Sequence, residues 1–139
     1  MRLWQACKSP FLAVPLNNAG LIDIQTGVLS SRSQLNLNAG GSYSGGGATR
    51  IDGGTATING SSSILSSGSL ELASGTFNGT GTFNGPGAFS WTGGTFGGVL
   101  TISSTASLLL TGNTVRSLAG ILNNAGTATN RFYQLLFVP

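Results

Sequence analysis

Phe77, Phe83, Phe89 and Phe96 recur at intervals of 6, 6 and 7 residues within Ser69 to Gly112, a stretch otherwise built of Gly, Thr, Asn, Ser and short apolar segments. No helix uses that spacing. At about 3.6 residues per turn the rings would scatter around the axis, and the intervening Gly, Asn, Thr and Ser disfavour helix at nearly every position. Short strands do use it. Thr76-Phe77, Thr82-Phe83-Asn84, Ala88-Phe89-Ser90-Trp91, Thr95-Phe96 and Leu100-Thr101-Ile102 set apolar side chains between polar neighbours, with Asn-Gly, Pro-Gly and Gly-Gly steps turning the chain between them.

Strands this short fit a meander of hairpins poorly, because hairpin strands run to about 5–6 residues and pair only with their sequence neighbours. In a coil, each strand pairs instead with its counterpart one circuit away, at about 4.8 Å. Three sides of six to seven residues make a rung of roughly 18–21 residues and about five or six rungs between Leu16 and Asn130. Glycine-rich corners then become intelligible, since they need positive φ or close backbone approach. Stacked Asn, Ser and Thr side chains there can hydrogen-bond from rung to rung.

Composition narrows the alternatives. Glycine supplies 23 of 139 residues and charged residues only 6%, yet 40% are hydrophobic, so the chain carries the apolar area that a disordered one lacks. Glycine keeps no three-residue period and there are only 4 prolines, which excludes collagen. The net charge of +3 comes from single, dispersed Arg and Lys residues, and no two are adjacent. Nucleic-acid binding, which wants a basic stripe or cluster, is not expected. A lone Cys7 allows no intramolecular disulfide. No apolar run reaches the roughly 18 residues of a membrane-spanning helix.

Residues 1–15 lack the Gly/Asn/Thr texture and read as an atypical N-terminal segment. Gln5, Lys8, Pro10 and Pro15 break the apolar core that a secretory signal requires, and Leu3 to Cys7 only faintly suggests a lipoprotein cleavage site. The solenoid texture spans residues 16–130, where Ile22 and Ile24 alternate with Asp23 and Gln25, and Leu35 and Leu37 with Asn36 and Asn38. Ala39 to Gly47 reads either as a corner loop or as a weak rung with Tyr43 packed across glycines. Asn17-Asn18-Ala19-Gly20 returns as Asn123-Asn124-Ala125-Gly126, the best single sign of an internal repeat. Residues 131–139 are nearly all apolar and read as a closing strand or a truncation remnant. The expected core is Leu70, Leu72, Phe77, Phe83, Phe89, Phe96, Leu100, Ile102, Leu108 and Leu110.

Several segments carry a family resemblance: Asn17 to Leu29, Leu70 to Phe77, Gly81 to Gly85, Trp91 to Phe96, and Ile121 to Gly126. In these the chain resembles bacterial autotransporter adhesins and filamentous-haemagglutinin-like passengers. That resemblance implies an all-β fold, a single-stranded right-handed parallel β-helix (β-solenoid). It further implies export, display on the cell surface or release outside, and a stalk or adhesive role toward host or surface glycans or proteins. No C-terminal translocator barrel fits after Asn130, so the kinship implies a fragment of a larger passenger. Open strands at the ends of such a coil invite end-to-end self-association.

Candidate chemistry is sparse. There is no histidine, which removes Ser-His-Asp, Cys-His and histidine metal sites, and no cofactor is expected. Asp23, Asp52 and Glu71 are the only carboxylates; Asp52 and Glu71, 19 apart, are the pair a coil could bring together for a polysaccharide-degrading site, with solvated outward residues as the alternative. Gly53-Gly54 and Gly93-Gly94 lack the aspartate of a calcium-binding nonapeptide repeat. Trp91, two positions from Phe89, belongs inward by strict alternation; the alternative is an exposed platform for a sugar ring. Thr55/Thr57 and Thr127/Thr129 resemble the threonine pairs of ice-binding solenoids, but an ice plane wants one on nearly every rung. Asn59-Gly60-Ser61 and Asn78-Gly79-Thr80 match the glycosylation pattern at a frequency expected by chance. The balance favours a non-enzymatic structural or adhesive segment.

Overall fold

The computed structural model describes residues 11–131, and these form an all-β parallel solenoid of about six turns. The chain winds through three faces. Face A holds β1 (Phe11–Leu12), β4 (Val28–Ser31), the start of β7 (Ala48–Ile64), the start of β8 (Ser69–Asn84), β9 (Ala88–Trp91), β12 (Ser107–Leu110) and β15 (Thr127–Asn130). Face B holds β2 (Leu16–Asn18), β5 (Gln34–Asn38), the middles of β7 and β8, β10 (Gly94–Phe96) and β13 (Arg116–Leu118). Face C holds β3 (Leu21–Asp23), β6 (Ser42–Ser44), the ends of β7 and β8, β11 (Val99–Ile102) and β14 (Ile121–Asn124). Every pairing is parallel, and one turn takes from 19 residues, as from Leu16 to Leu35, to 22, as from Gly94 to Arg116.

The phenylalanine spacing is this geometry written in sequence. Phe77, Phe83 and Phe89 fall on faces B, C and A, and Phe96 returns to face B directly opposite Phe77. Their rings fill the axis. Phe77 stacks on Phe96 at 5.3 Å between centroids and meets Phe89 at 5.6 Å and Phe83 edge-on at 6.1 Å. Leu70, Leu72, Leu100, Ile102 and Leu108 are buried with them, while Leu110, near the last described turn, is half-buried. Trp91 also points inward, and its indole Nε1–H donates to the Gly93 carbonyl at 2.9 Å, which supplies the partner that a buried Trp needs.

Parallel pairing is under way at Phe11 and Leu12, opposite Ser30 and Ser31. At the other end the Arg131 N–H donates to the Leu110 carbonyl at 2.8 Å, carrying the face A ladder one residue past β15. The expectations for residues 1–10, the lipoprotein-like cysteine included, and for residues 132–139 lie outside the described residues.

One sequence sign points to the right conclusion through the wrong correspondence. Asn17 lies on face B, in file with Asn36, Thr57 and Asn78, whereas Asn123 lies on face C opposite Thr101. The two Asn-Asn-Ala-Gly quartets are therefore not equivalent positions of a repeat. They share a local task, leaving a strand for a corner: the Asn18 Oδ1 accepts from the Gly20 N–H at 3.1 Å, and the Asn124 Nδ2 donates to the Gly126 carbonyl at 3.0 Å.

The glycine-rich segment from Ala39 to Gly47 supplies the face C side of a rung. Tyr43 on β6 sits between Ile22 and Ile64 and is buried in the axis. Its hydroxyl and the nearby Asn18 Nδ2 are both buried without a hydrogen bond of acceptable geometry. Burial pushes the Tyr43 phenol up to about 12, and the adjacent Asn18 side chain opposes this only weakly. Because that value lies above the unfolded one of about 10, the associated stability is intact below about pH 10 and is lost as pH climbs toward about 12. Tyr43→Phe, which removes an unsatisfied hydroxyl, is expected to leave stability near neutral pH unchanged or raise it by up to about 1 kcal/mol. It should also shrink the alkaline loss. Urea melts of both proteins at neutral and alkaline pH check this, and an equal alkaline loss in both would contradict it.

Candidate binding face

Face B is where the register produces a surface that no single strand has. Along each strand the inward residues are apolar, Leu35 and Leu37 on β5, Ala56 and Ile58 on β7, Phe77 on β8, all buried. Alternation then sends the residues between them outward. Strict parallel register stacks these outward residues into files. Gln34, Thr55, Thr76, Thr95 and Ser117 form the first, Asn17, Asn36, Thr57 and Asn78 the second, and Asn38, Asn59 and Thr80 the third. Over β5, β7 and β8 the first two files set six hydroxyl and carboxamide side chains in a grid, none of them charged, while the third leaves the face at Thr80, which follows the Gly79 corner and pairs with Val99 on face C. Files are spaced about 6.6 Å along the strand and rows about 4.8 Å along the axis.

Several of these side chains hold one another in place. The Asn36 Nδ2 donates to the Asn17 Oδ1 at 2.6 Å, the Asn59 Nδ2 to the Asn38 Oδ1 at 3.3 Å, and the Gln34 Nε2 to the Asn36 Oδ1 at 3.3 Å. The first two are the rung-to-rung amide bonds expected of stacked polar side chains, the third runs along β5, and together they fix rotamers before any ligand arrives.

Face A has a different character. Arg50 lies opposite Glu71, with Nε to Oε2 at 2.9 Å, and Thr92 Oγ1 donates to the other Glu71 oxygen at 2.9 Å. Arg32 pairs with Asp52 at 3.5 Å and also covers the Phe11 ring, 4.5 Å from its centroid. Ser74 Oγ donates to Asp52 Oδ1 at 3.2 Å. Register brings Glu71 beside Arg50 and Asp52 beside Ser74, so the two carboxylates sit diagonally on neighbouring rungs with an arginine on each. Asp23 on face C accepts from Ser44 Oγ at 2.7 Å and from the Gln25 side chain. From the start of β13 on face B, the Arg116 Nη1 donates to the carbonyls of Trp91 at 3.2 Å and Thr111 at 2.7 Å, and burial lowers its pKa.

The residues singled out in the sequence are thus distributed as follows. Thr55 and Thr57 stand in the grid, whereas Thr127 and Thr129 stand on face A opposite Ser107 and Leu109, so the two pairs share no plane. Thr76, Thr95, Asn36 and Asn78 escape a search for paired threonines; the signal that finds them is the interval of 21 and then 19 residues separating Thr55, Thr76 and Thr95, and of 21 residues on either side of Thr57. Of the two glycosylation-like sites, Asn59 is exposed and Asn78 half-buried within the grid. Among the described residues no group of three or more His, Cys, Asp or Glu is placed to hold a metal, and no helix is long and apolar enough to cross a membrane.

Fold and face together define a parallel β-solenoid with a solid core and, on one side, in-register files of uncharged hydrogen-bonding side chains. No family model matches the chain, and neither a curated protein nor a solved structure matches it.

Proposed function

We propose that this chain is a non-enzymatic structural and adhesive segment of a secreted or cell-surface protein, of the autotransporter or filamentous-haemagglutinin type. The observation that carries this reading is the rigid in-register grid of face B lying directly over a core packed through to the axis. A stacked coil adds length and surface turn by turn while each turn contacts chiefly its neighbours, which suits a stalk. Its polar side is the adhesive element.

The carbohydrate-binding alternative finds less support. Among the described residues every aromatic except Phe11 is buried, and Phe11 lies under the Arg32 guanidinium, so a sugar ring has no open aromatic platform. For a polysaccharide-degrading site, Asp52 and Glu71 are each tied to an arginine on a strand surface. The reading extends to end-to-end association. Among the described residues β13, β14 and β15 each pair on one side, and Val115, Leu118 and Ile121 are exposed there, the kind of edge onto which another strand adds.

Fractionation of the source cells, with antibody against the solenoid and protease added to intact cells, tests the assignment. The expected result is protease-accessible protein at the surface or in the medium. Intact protein confined to the cytosol overturns it.

A further inference from the structure

We propose that face B binds ice, its grid of hydroxyls and carboxamides docking onto the ordered water of a crystal surface. The inference rests on the reading of the chain as a non-enzymatic adhesive scaffold and names what that scaffold adheres to. Counting threonine pairs along the sequence argues against such a face, because only Thr55 and Thr57 of the two pairs lie on it. Register changes the count. Thr76 and Thr95 join Thr55 in one unbroken file, and Asn36 and Asn78 stand above and below Thr57 in the next.

Three properties select solid water over other partners. First, the grid bears no charge, while the Arg32–Asp52 and Arg50–Glu71 ion pairs lie on face A. Second, it is small. Three residues wide over the five strands from β5 to β13, it covers roughly 10 by 24 Å, about a third of the ~800 Å² that each partner contributes to a stable protein–protein interface. Third, a protein or glycan docking here must strip water from these polar side chains and replace its hydrogen bonds, and groups left unpaired carry a desolvation cost. An ice surface imposes no such cost, since each group keeps water as its partner.

Rigidity supplies the rest. Rows about 4.8 Å apart and files about 6.6 Å apart are set by backbone hydrogen bonding. The buried side chains beneath and the Asn17–Asn36 and Asn38–Asn59 bonds hold the array still. Waters seated on a fixed, periodic array are already localised, so freezing them into a lattice forfeits less entropy than on a mobile surface. Each threonine adds a methyl beside its hydroxyl, which keeps the plane even between hydrogen-bonding points.

The test is ice-recrystallisation inhibition and ice-crystal shaping by the purified 139-residue chain. The wild-type protein is expected to halt grain growth and facet crystals. Thr57→Tyr, which raises a ring at the centre of the grid, should abolish both effects with an unchanged circular dichroism spectrum. Thr76→Lys is a second variant read in the same way. Ser90→Tyr, on face A between Glu71 and Leu109, should leave both effects intact. An inactive wild-type protein overturns the proposal, as does activity retained in both grid variants, or an equal loss in Ser90→Tyr. Any of these results leaves the scaffold reading standing, because that reading fails on cellular location and not on freezing behaviour.

Discussion

Phe77→Ala is expected to be the most damaging single truncation in the molecule, lowering stability by about 3–5 kcal/mol. Phe77 is the ring on which four others depend directly or at one remove: it contacts Phe83 and Phe89 around the same circuit and stacks on Phe96 one turn on, and Phe96 in turn meets Trp91 at 6.0 Å. The site cannot collapse around the loss. Its walls are β-ladders whose spacing is set by backbone hydrogen bonds, so the cavity persists, and persistent cavities lie at the upper end of the truncation range. Against a total stability of about 5–15 kcal/mol, the variant should show a midpoint in urea far below that of the wild type. Stability that spreads through nearest-neighbour turns also predicts a broader transition, since the turns on either side of the gap lose their coupling. A loss of less than about 1 kcal/mol would mean that the ring stack is not what holds the central turns together.

Gly79→Ala should come close behind. Gly79 sits at φ 92° at the corner between faces B and C, and a Cβ there would stand 2.1 Å from the Ile58 carbonyl oxygen of the preceding turn. Left-handed torsion alone costs an Ala about 1–2 kcal/mol. The contact is the larger problem, because its other party is backbone: relief requires prising adjacent turns apart. Gly53, at φ 106° with nothing within 4 Å of its would-be Cβ, isolates the torsional part, so Gly53→Ala should cost only about 1–2 kcal/mol. Gly20 has neither positive φ nor a near neighbour, and Gly20→Ala should be neutral or stabilising by up to about 1 kcal/mol. Thermal melts of the three variants should rank Gly79→Ala well below Gly53→Ala, and Gly53→Ala below Gly20→Ala. If all three fell together, the glycines would be acting through chain entropy and not through the close approach of turns.

The glycine comparison also shows how far a sequence of this kind can be read. An excess of glycine signals that some corners are tight, but not which ones, because the clash at Gly79 comes from Ile58, 21 residues back. The Tyr43 segment shows the same limit. Ser42-Tyr43-Ser44 among five glycines is compatible locally with either a loop or a strand, and it becomes a strand because Ile22 and Ile64 flank it in neighbouring turns. Turn chemistry misleads for a related reason. The two Asn-Asn-Ala-Gly quartets look like one repeat unit, yet any strand that must enter a corner benefits from an asparagine followed shortly by a glycine, whichever corner it is.

What the residues alone determined was the period and its consequence. Aromatic residues 6, 6 and 7 apart, separated by turn-forming steps, leave short inward-pointing strands as the way to bury the rings, and so a coil with one ring per side. Side-chain direction within a strand follows from local stereochemistry, so Trp91 could be read as inward from Phe89 two positions away. The tertiary structure alone decided register, because turns here range from 19 to 22 residues and one residue of slip would send every outward side chain to the core. Whether Thr55 faces Thr76, whether Glu71 meets Arg50, and whether scattered polar residues line up in shared files are settled by hydrogen bonds between distant stretches of chain, and no local preference encodes them.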